Sequence, residues 1–135
     1  VPRPRFVSAT QAITATTASD GSYTLALPPG MHTVTVSRPD YLPATKVGVV
    51  AGSTAGTTLP PLRLMSGNLV NAGGSANYIS DSDLDVVMAY YGRARMGSPG
   101  EEGYRADITG DGQVDLFDLV AVTSNWHRHA TDYGW

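Results

Sequence analysis

The 135 residues contain no cysteine, which excludes disulfides, thiolate catalysis and cysteine-ligated zinc. It does not exclude an extracellular address, because another staple can replace disulfides in a small module. Charged residues make up only 16% and the net charge is −3. With no dense basic patch, binding to phosphate backbones has no support, and nucleic acid is not an expected partner. No apolar run approaches the roughly 20 residues that a membrane helix needs, so no membrane insertion is expected. Catalytic motifs are missing too. No serine stands in a Gly-x-Ser-x-Gly elbow, and no paired glutamates suggest glycosidase chemistry, so an enzyme is not expected. The chain opens Val-Pro-Arg-Pro without a methionine, as a processed or excised chain would.

What is present divides the chain in two. Residues 1–65 carry five basic and two acidic side chains, whereas residues 66–135 carry four basic and ten acidic. Opposite signs suggest two modules with different tasks. The first is rich in Thr, Val and Ala, punctuated by turn residues every 8 to 12 positions, which predicts a small antiparallel β-sandwich. Strands are expected at Ser22–Leu27, Met31–Ser37, Lys46–Val50 and Thr57–Leu64. The first two form a hairpin across Pro28-Pro29-Gly30, with Tyr23, Leu25, Leu27, Val34 and Val36 on its dry faces.

The second module carries the chemistry. Asp107-Ile-Thr-Gly-Asp-Gly-Gln-Val-Asp-Leu-Phe-Asp118 fits a twelve-residue calcium loop, whose oxygens fall at positions 1, 3, 5, 7, 9 and 12. Those positions are Asp107, Thr109, Asp111, Gln113 through its carbonyl, Asp115 through a water, and Asp118. Gly112 occupies the sharp turn at position 6, and the apolar Val114 suits backbone pairing with a partner loop. A solvated Asp/Gly turn would not need four carboxylates at these spacings, which repel one another without a cation. Metal binding is therefore expected to be coupled to folding.

A damaged second copy precedes it. Ile79-Ser-Asp-Ser-Asp-Leu84 aligns with Val114-Asp-Leu-Phe-Asp-Leu119 at an offset of 35 residues. Helices are expected over Ser80–Tyr91 and Leu116–Trp126, joined by a linker at Arg93–Ala106. Leu84, Val87, Met88 and Tyr91 make one apolar stripe, and Leu119, Val122, Thr123 and Trp126 the equivalent one. The first loop runs sixteen residues from Asn68 to Asp83, with oxygens on Asn68, Asn71, Asn77, Ser80 and Asp83. With so little charge it is either a weak calcium site or a hydrogen-bonded loop without an ion. His127 and His129 could bind a transition metal, but beside Arg128 solvated or stacked rings are the expectation. His32 is expected to be exposed, and Tyr133 and Trp135 to pack near the start of the first repeat.

Two family resemblances follow from these motifs. SDGSYTLALPPGMHTVTVSRPDYLPA, within Ala12–Leu64, resembles the carboxypeptidase regulatory-like (prealbumin-like) sandwich family, with Asp40-Tyr41 where a Gly-Tyr usually falls. That resemblance implies a non-catalytic spacer or adhesion module. Its usual opening strand is missing ahead of Phe6–Thr17, which implies an exposed edge completed by another subunit or by residues outside this chain. The Lys-Asn cross-link of some pilus relatives is not expected, because Lys46 is the sole lysine and the first module has no glutamate or asparagine. The second half, with Asp rather than Glu at position 12, resembles the dockerin family. That implies a tandem loop-helix pair with bound Ca2+, and partner contacts at loop positions 10 and 11. Here these are Leu116-Phe117 and Asp81-Ser82, an unlike pair that argues against symmetric two-way binding. Leu116 and Phe117 pack on the first module or meet a partner.

The expected protein is a non-catalytic, calcium-stabilised, extracellular or cell-surface module. In one reading it is a filament or pilus-like subunit assembled with copies of itself by strand complementation. In the other it is a docking tail that binds a cohesin-like module. A carbohydrate-binding module would need coplanar exposed aromatics, and the first half has only Phe6, Tyr23 and Tyr41.

Overall fold

A computed structural model describes residues 12–52, 54, 56–70 and 77–135. In order, the elements are β1 (Gly30–Val36), β2 (Ala44–Ala51), α1 (Asp81–Tyr90), α2 (Glu102–Arg105) and α3 (Leu116–Thr123), with a 3₁₀ turn at Ala130–Asp132.

β1 and β2 pair antiparallel, with Met31 opposite Val50 and Val36 opposite Ala44. Between His32↔Val49 and Val34↔Lys46, Thr33 faces two residues, Val47 and Gly48. Gly48 takes this bulge with φ +71°, a conformation that favours glycine. The extra residue shifts the inward phase of β2: Ala44 is buried before it and Val49 after it, while Val47 and Val50 turn to solvent.

Among the described residues this is the whole sheet, so the expected four-strand sandwich is reduced. The anticipated pairing of 22–27 with 31–37 is replaced by β1 with β2. Residues 22–27 and 57–64 form no ladder. They keep the extended alternation, with Tyr23, Leu25 and Leu27 half-buried between exposed neighbours. These segments and the inner side chains Val34, Val36 and Val49 line a cavity of about 730 Å³, so hydrophobic phase survives where hydrogen-bonded pairing does not.

The main core lies in the other half. Leu69, Ile79, Val86, Val87, Ala106, Val114 and Val122 are buried together, and Leu42 from the β half is buried completely among them. α1 and α3 begin 35 residues apart, and their surroundings repeat at the same offset. Ile79 exchanges backbone bonds with His127 and Arg128 (2.8 and 2.9 Å), and Val114 with Gly92 and Arg93 (2.8 and 2.8 Å). Each loop therefore pairs with the turn after the other repeat's helix. Gln113 bridges Ala94 as Tyr78 bridges His129.

The buried helix faces differ from the expected stripes by one position. α1 turns Asp83, Val86 and Val87 inward with Tyr90 half-buried, and α3 turns Asp118 and Val122 inward. Met88 (55% exposed), Tyr91 and Trp126 face solvent, as does Thr123. A stripe read from apolar residues alone places the aspartate outside, whereas here it anchors the inner face. Helix α2 occupies part of the expected linker, and α3 ends at Thr123 rather than Trp126.

Candidate metal centre

The 107–118 loop is built on two carboxylates. Asp107, nearly buried, accepts at Oδ1 from the amides of Gly110 (2.8 Å) and Asp111 (3.2 Å) and the hydroxyl of Thr109 (3.3 Å). Its Oδ2 accepts from the amide of Gly112 (2.8 Å). Gly112 has φ +93°, as the sharp turn at position 6 requires. Asp118 is completely buried; Oδ1 accepts from the amide of Thr109 (2.9 Å) and Oδ2 from that of Asp115 (2.8 Å). Asp115 caps α3 by accepting from Phe117 N–H (2.9 Å), so Asp115 and Asp118 close a capping box. Asp111 accepts from Gln113 N–H (2.9 Å).

All six loop residues thus lie in one turn-and-helix-start unit, and their amide bonds fix its shape. Among the described residues, no three Asp, Glu or His side chains are grouped closely enough to hold a metal by themselves. The donor chemistry nevertheless suits a hard cation. Buried charges are normally paired or bound to metal, yet the two ion pairs of the described residues involve Asp107 with Arg95 (3.5 Å) and Asp40 with Arg105 (2.6 Å), not Asp118.

The first loop ends the same way. Asp83 is completely buried, with Oδ1 accepting from Leu69 and Val70 N–H (both 2.7 Å) and Oδ2 from Ser80 N–H (2.8 Å). Asn68 is buried, and among the described residues its Oδ1 and the Ser80 Oγ have no hydrogen-bond partner. Asn71 lies outside the described residues.

Leu116 and Phe117 are 59% and 68% exposed, and Val120 one turn on is 51% exposed. Among the described residues, packing of Leu116 and Phe117 on the first module is therefore not found. The equivalents of these three in α1 are Asp81, Ser82 and Asp85. His129 stacks on Tyr78 (4.2 Å, 21°) with His127 tilted at 6.0 Å, as expected of stacked rings. His32 is half-buried rather than exposed and its Nε2 lies 2.7 Å from the Pro28 carbonyl oxygen. At the C-terminus, the Tyr133 hydroxyl accepts from Met65 N–H (2.7 Å) and donates to the Leu42 carbonyl (2.7 Å). Trp135 Nε1–H donates to the Pro60 carbonyl (3.1 Å). The end thus packs at the start of the first repeat and also reaches back onto the β half.

These features define a class: a small β unit joined to a pseudo-symmetric pair of acidic loop-helix units. Residues 6–60 match the sequence model of the carboxypeptidase regulatory-like domain, which supports that reading of the first half. No curated protein matches the chain. Among solved structures, the fold is similar to a chain in an N-terminal interface mutant of a type II cohesin-X-dockerin complex from Acetivibrio cellulolyticus. The TM-score is 0.68 at 20% identity, covering 94% of this chain and 81% of that one. A C-terminal interface mutant of the same complex gives 0.69 at 19% identity, covering 90% and 82%. At such identity the likeness is one of fold.

Proposed function

We propose that the protein is a non-catalytic, extracellular docking module whose dockerin-like half binds calcium in the 107–118 loop and presents α3 to a protein partner. The observation that carries this reading is the first turn of α3. Asp118 points into the loop, buried and with no cationic partner among the described residues, while Leu116 and Phe117 on the same turn stand in solvent. Asp107, Thr109, Asp111, the Gln113 carbonyl, Asp115 and Asp118 would hold the ion. Bound there, calcium supplies positive charge to the carboxylates, and the chain's own amides orient them. Extracellular calcium levels fill even modest sites of this type. The fold's likeness to chains from cohesin-X-dockerin complexes makes a cohesin-like module the favoured partner.

The test is calorimetry with calcium and with a type II cohesin module. Calcium should bind with a stoichiometry of about one in the range of extracellular modules, roughly 10⁻⁴ M or tighter. Absence of binding heat, with a melting temperature unmoved by chelator, overturns the calcium claim.

A second reading, a filament subunit completed by a donated strand, is favoured by one observation. The extended segments 23–27 and 57–62 line an open apolar cavity and, among the described residues, belong to no sheet, so apart from the Pro60 carbonyl, which accepts from Trp135, they offer backbone to another chain. Negative-stain images of purified native material would show fibres under this reading and dispersed particles under the first.

A further inference from the structure

The peptide group between Leu69 and Val70 lies between opposite charges. Its N–H, on Val70, donates to Asp83 Oδ1 at 2.7 Å, and Leu69 N–H donates to the same oxygen. Its carbonyl, on Leu69, accepts from Arg105 Nη2 at 2.5 Å. A peptide dipole of about 3.5 D with a cation at its carbonyl end and an anion at its amide end is favourable to both. Hydrogen bonds in such a chain also polarise one another.

Arg105 is itself fixed. Its Nε–H donates to Asp40 Oδ1 at 2.6 Å, and Asp40 accepts through its carbonyl from the amides of Gly67 (2.9 Å) and Asn68 (3.0 Å). Asp40 holds φ +68°, unusual for a side-chain-bearing residue, and such strain persists only where surrounding contacts determine it. The β half thus grips the start of the first loop and the guanidinium that serves it. No ion pair of the described residues provides this for Asp118.

We infer that Arg105 is the resident cation at the start of the first loop, neutralising Asp83 through the Leu69-Val70 peptide so that the hold of Asp83 on Leu69 and Val70 persists without metal. The complementary statement, that the second repeat depends on calcium, rests on the reading above; the role of Arg105 does not. Calcium would then control α3 and its exposed face while the junction between the halves stays closed.

Amide hydrogen exchange on the full chain, in calcium and in chelator, tests this. Leu69 and Val70 amides should keep their protection in chelator while Thr109 and Asp115 amides lose theirs, and a metal count should find one ion. Arg105→Met should speed exchange at Leu69 and Val70 roughly 10- to 100-fold in both buffers, as expected for loss of a charged hydrogen-bond partner. Adding Asp83→Asn to that variant should recover protection at Leu69 and Val70, from whose amides the carboxamide oxygen still accepts, but not at Ser80, whose N–H then meets the carboxamide NH2; a mere packing role for Arg105 predicts no recovery at Leu69 and Val70. Should Arg105→Met not fold, Arg105→Lys keeps the charge without the fork and should show a smaller acceleration. Equal loss at Val70 and Thr109 on chelation, a second bound calcium, or no recovery by Asp83→Asn would overturn the inference. Zero bound calcium with Thr109 unaffected would sink the calcium reading alone, leaving the Arg105 arms to decide this one.

Discussion

Two aspartates, Asp83 and Asp118, do most at the residue scale: each is fully buried and serves amides from both ends of its loop. If calcium at about 100 times its Kd binds the 107–118 loop, the ion stabilises the fold by about 2.7 kcal/mol. Chelation should then lower the melting temperature by on the order of 5–10 °C. Asp118→Asn should give at least as large a loss in calcium, because its carboxamide also meets one of the two amides that Asp118 serves, and should make the variant insensitive to chelator, which calorimetric melting reads directly. Tyr133 makes a second residue-scale prediction. Burial raises its phenol pKa, offset in part by the Met65 amide it accepts from. A folded pKa above the unfolded value near 10 means that the folded state holds the proton more tightly. This contribution is therefore complete below about pH 10 and fades as pH rises through the raised value. Tyr133→Phe should cost about 1–3 kcal/mol at neutral pH and abolish that alkaline decline, measured by denaturant melts across pH 7 to 11. The loop was readable from spacing because a turn-and-cap unit is set by neighbours within twelve residues. Arg105, Asp40 and Leu69 were not, because their partners lie 36 and 65 positions apart.

Local pattern gave the existence and starts of elements better than their faces. α1 and α3 begin where the 35-residue offset puts them, since the bonds that start them, Ser80 N–H to Asp83 and Phe117 N–H to Asp115, are local. The buried faces lie one position from the apolar stripes because the inward aspartates belong to the face and carry no hydrophobic signal. In β2 the bulge at Gly48 switches which valines face in, so simple alternation along Lys46–Val50 does not give its buried face. The missing sandwich strands have no such local cause; residues 22–27 and 57–64 keep their alternation but not their ladders. On α3, exposure of Leu116 and Phe117 separates docking from stability. Replacing both by Ser should leave the melting temperature within about 2 °C, as expected for exposed positions, while weakening cohesin binding at least tenfold by calorimetry. The matching change of Asp81 and Ser82 to Ala in α1 should leave that affinity unchanged, because the two faces differ chemically.

Taken whole, the halves that charge and composition separate are joined by more than a linker. Leu42 is buried completely among the α1 and α3 side chains, Tyr41 bridges Ser66, and Asp40 pairs with Arg105. The C-terminus closes the same seam, since Tyr133 ties Met65 to Leu42 and Trp135 reaches Pro60. A shared core and a doubly hydrogen-bonded seam predict one cooperative unfolding transition, with calorimetric and van't Hoff enthalpies in agreement. Removing residues 133–135 leaves the Met65 amide without its acceptor and the Leu42 carbonyl without its donor. The truncated chain should melt on the order of 5–10 °C lower. Its transition should broaden into two, of which only the one assigned to the loop-helix half responds to calcium. A truncated chain that still melts in one sharp, calcium-sensitive step would mean that the Leu42 core alone couples the halves and that the terminal aromatics only decorate the seam.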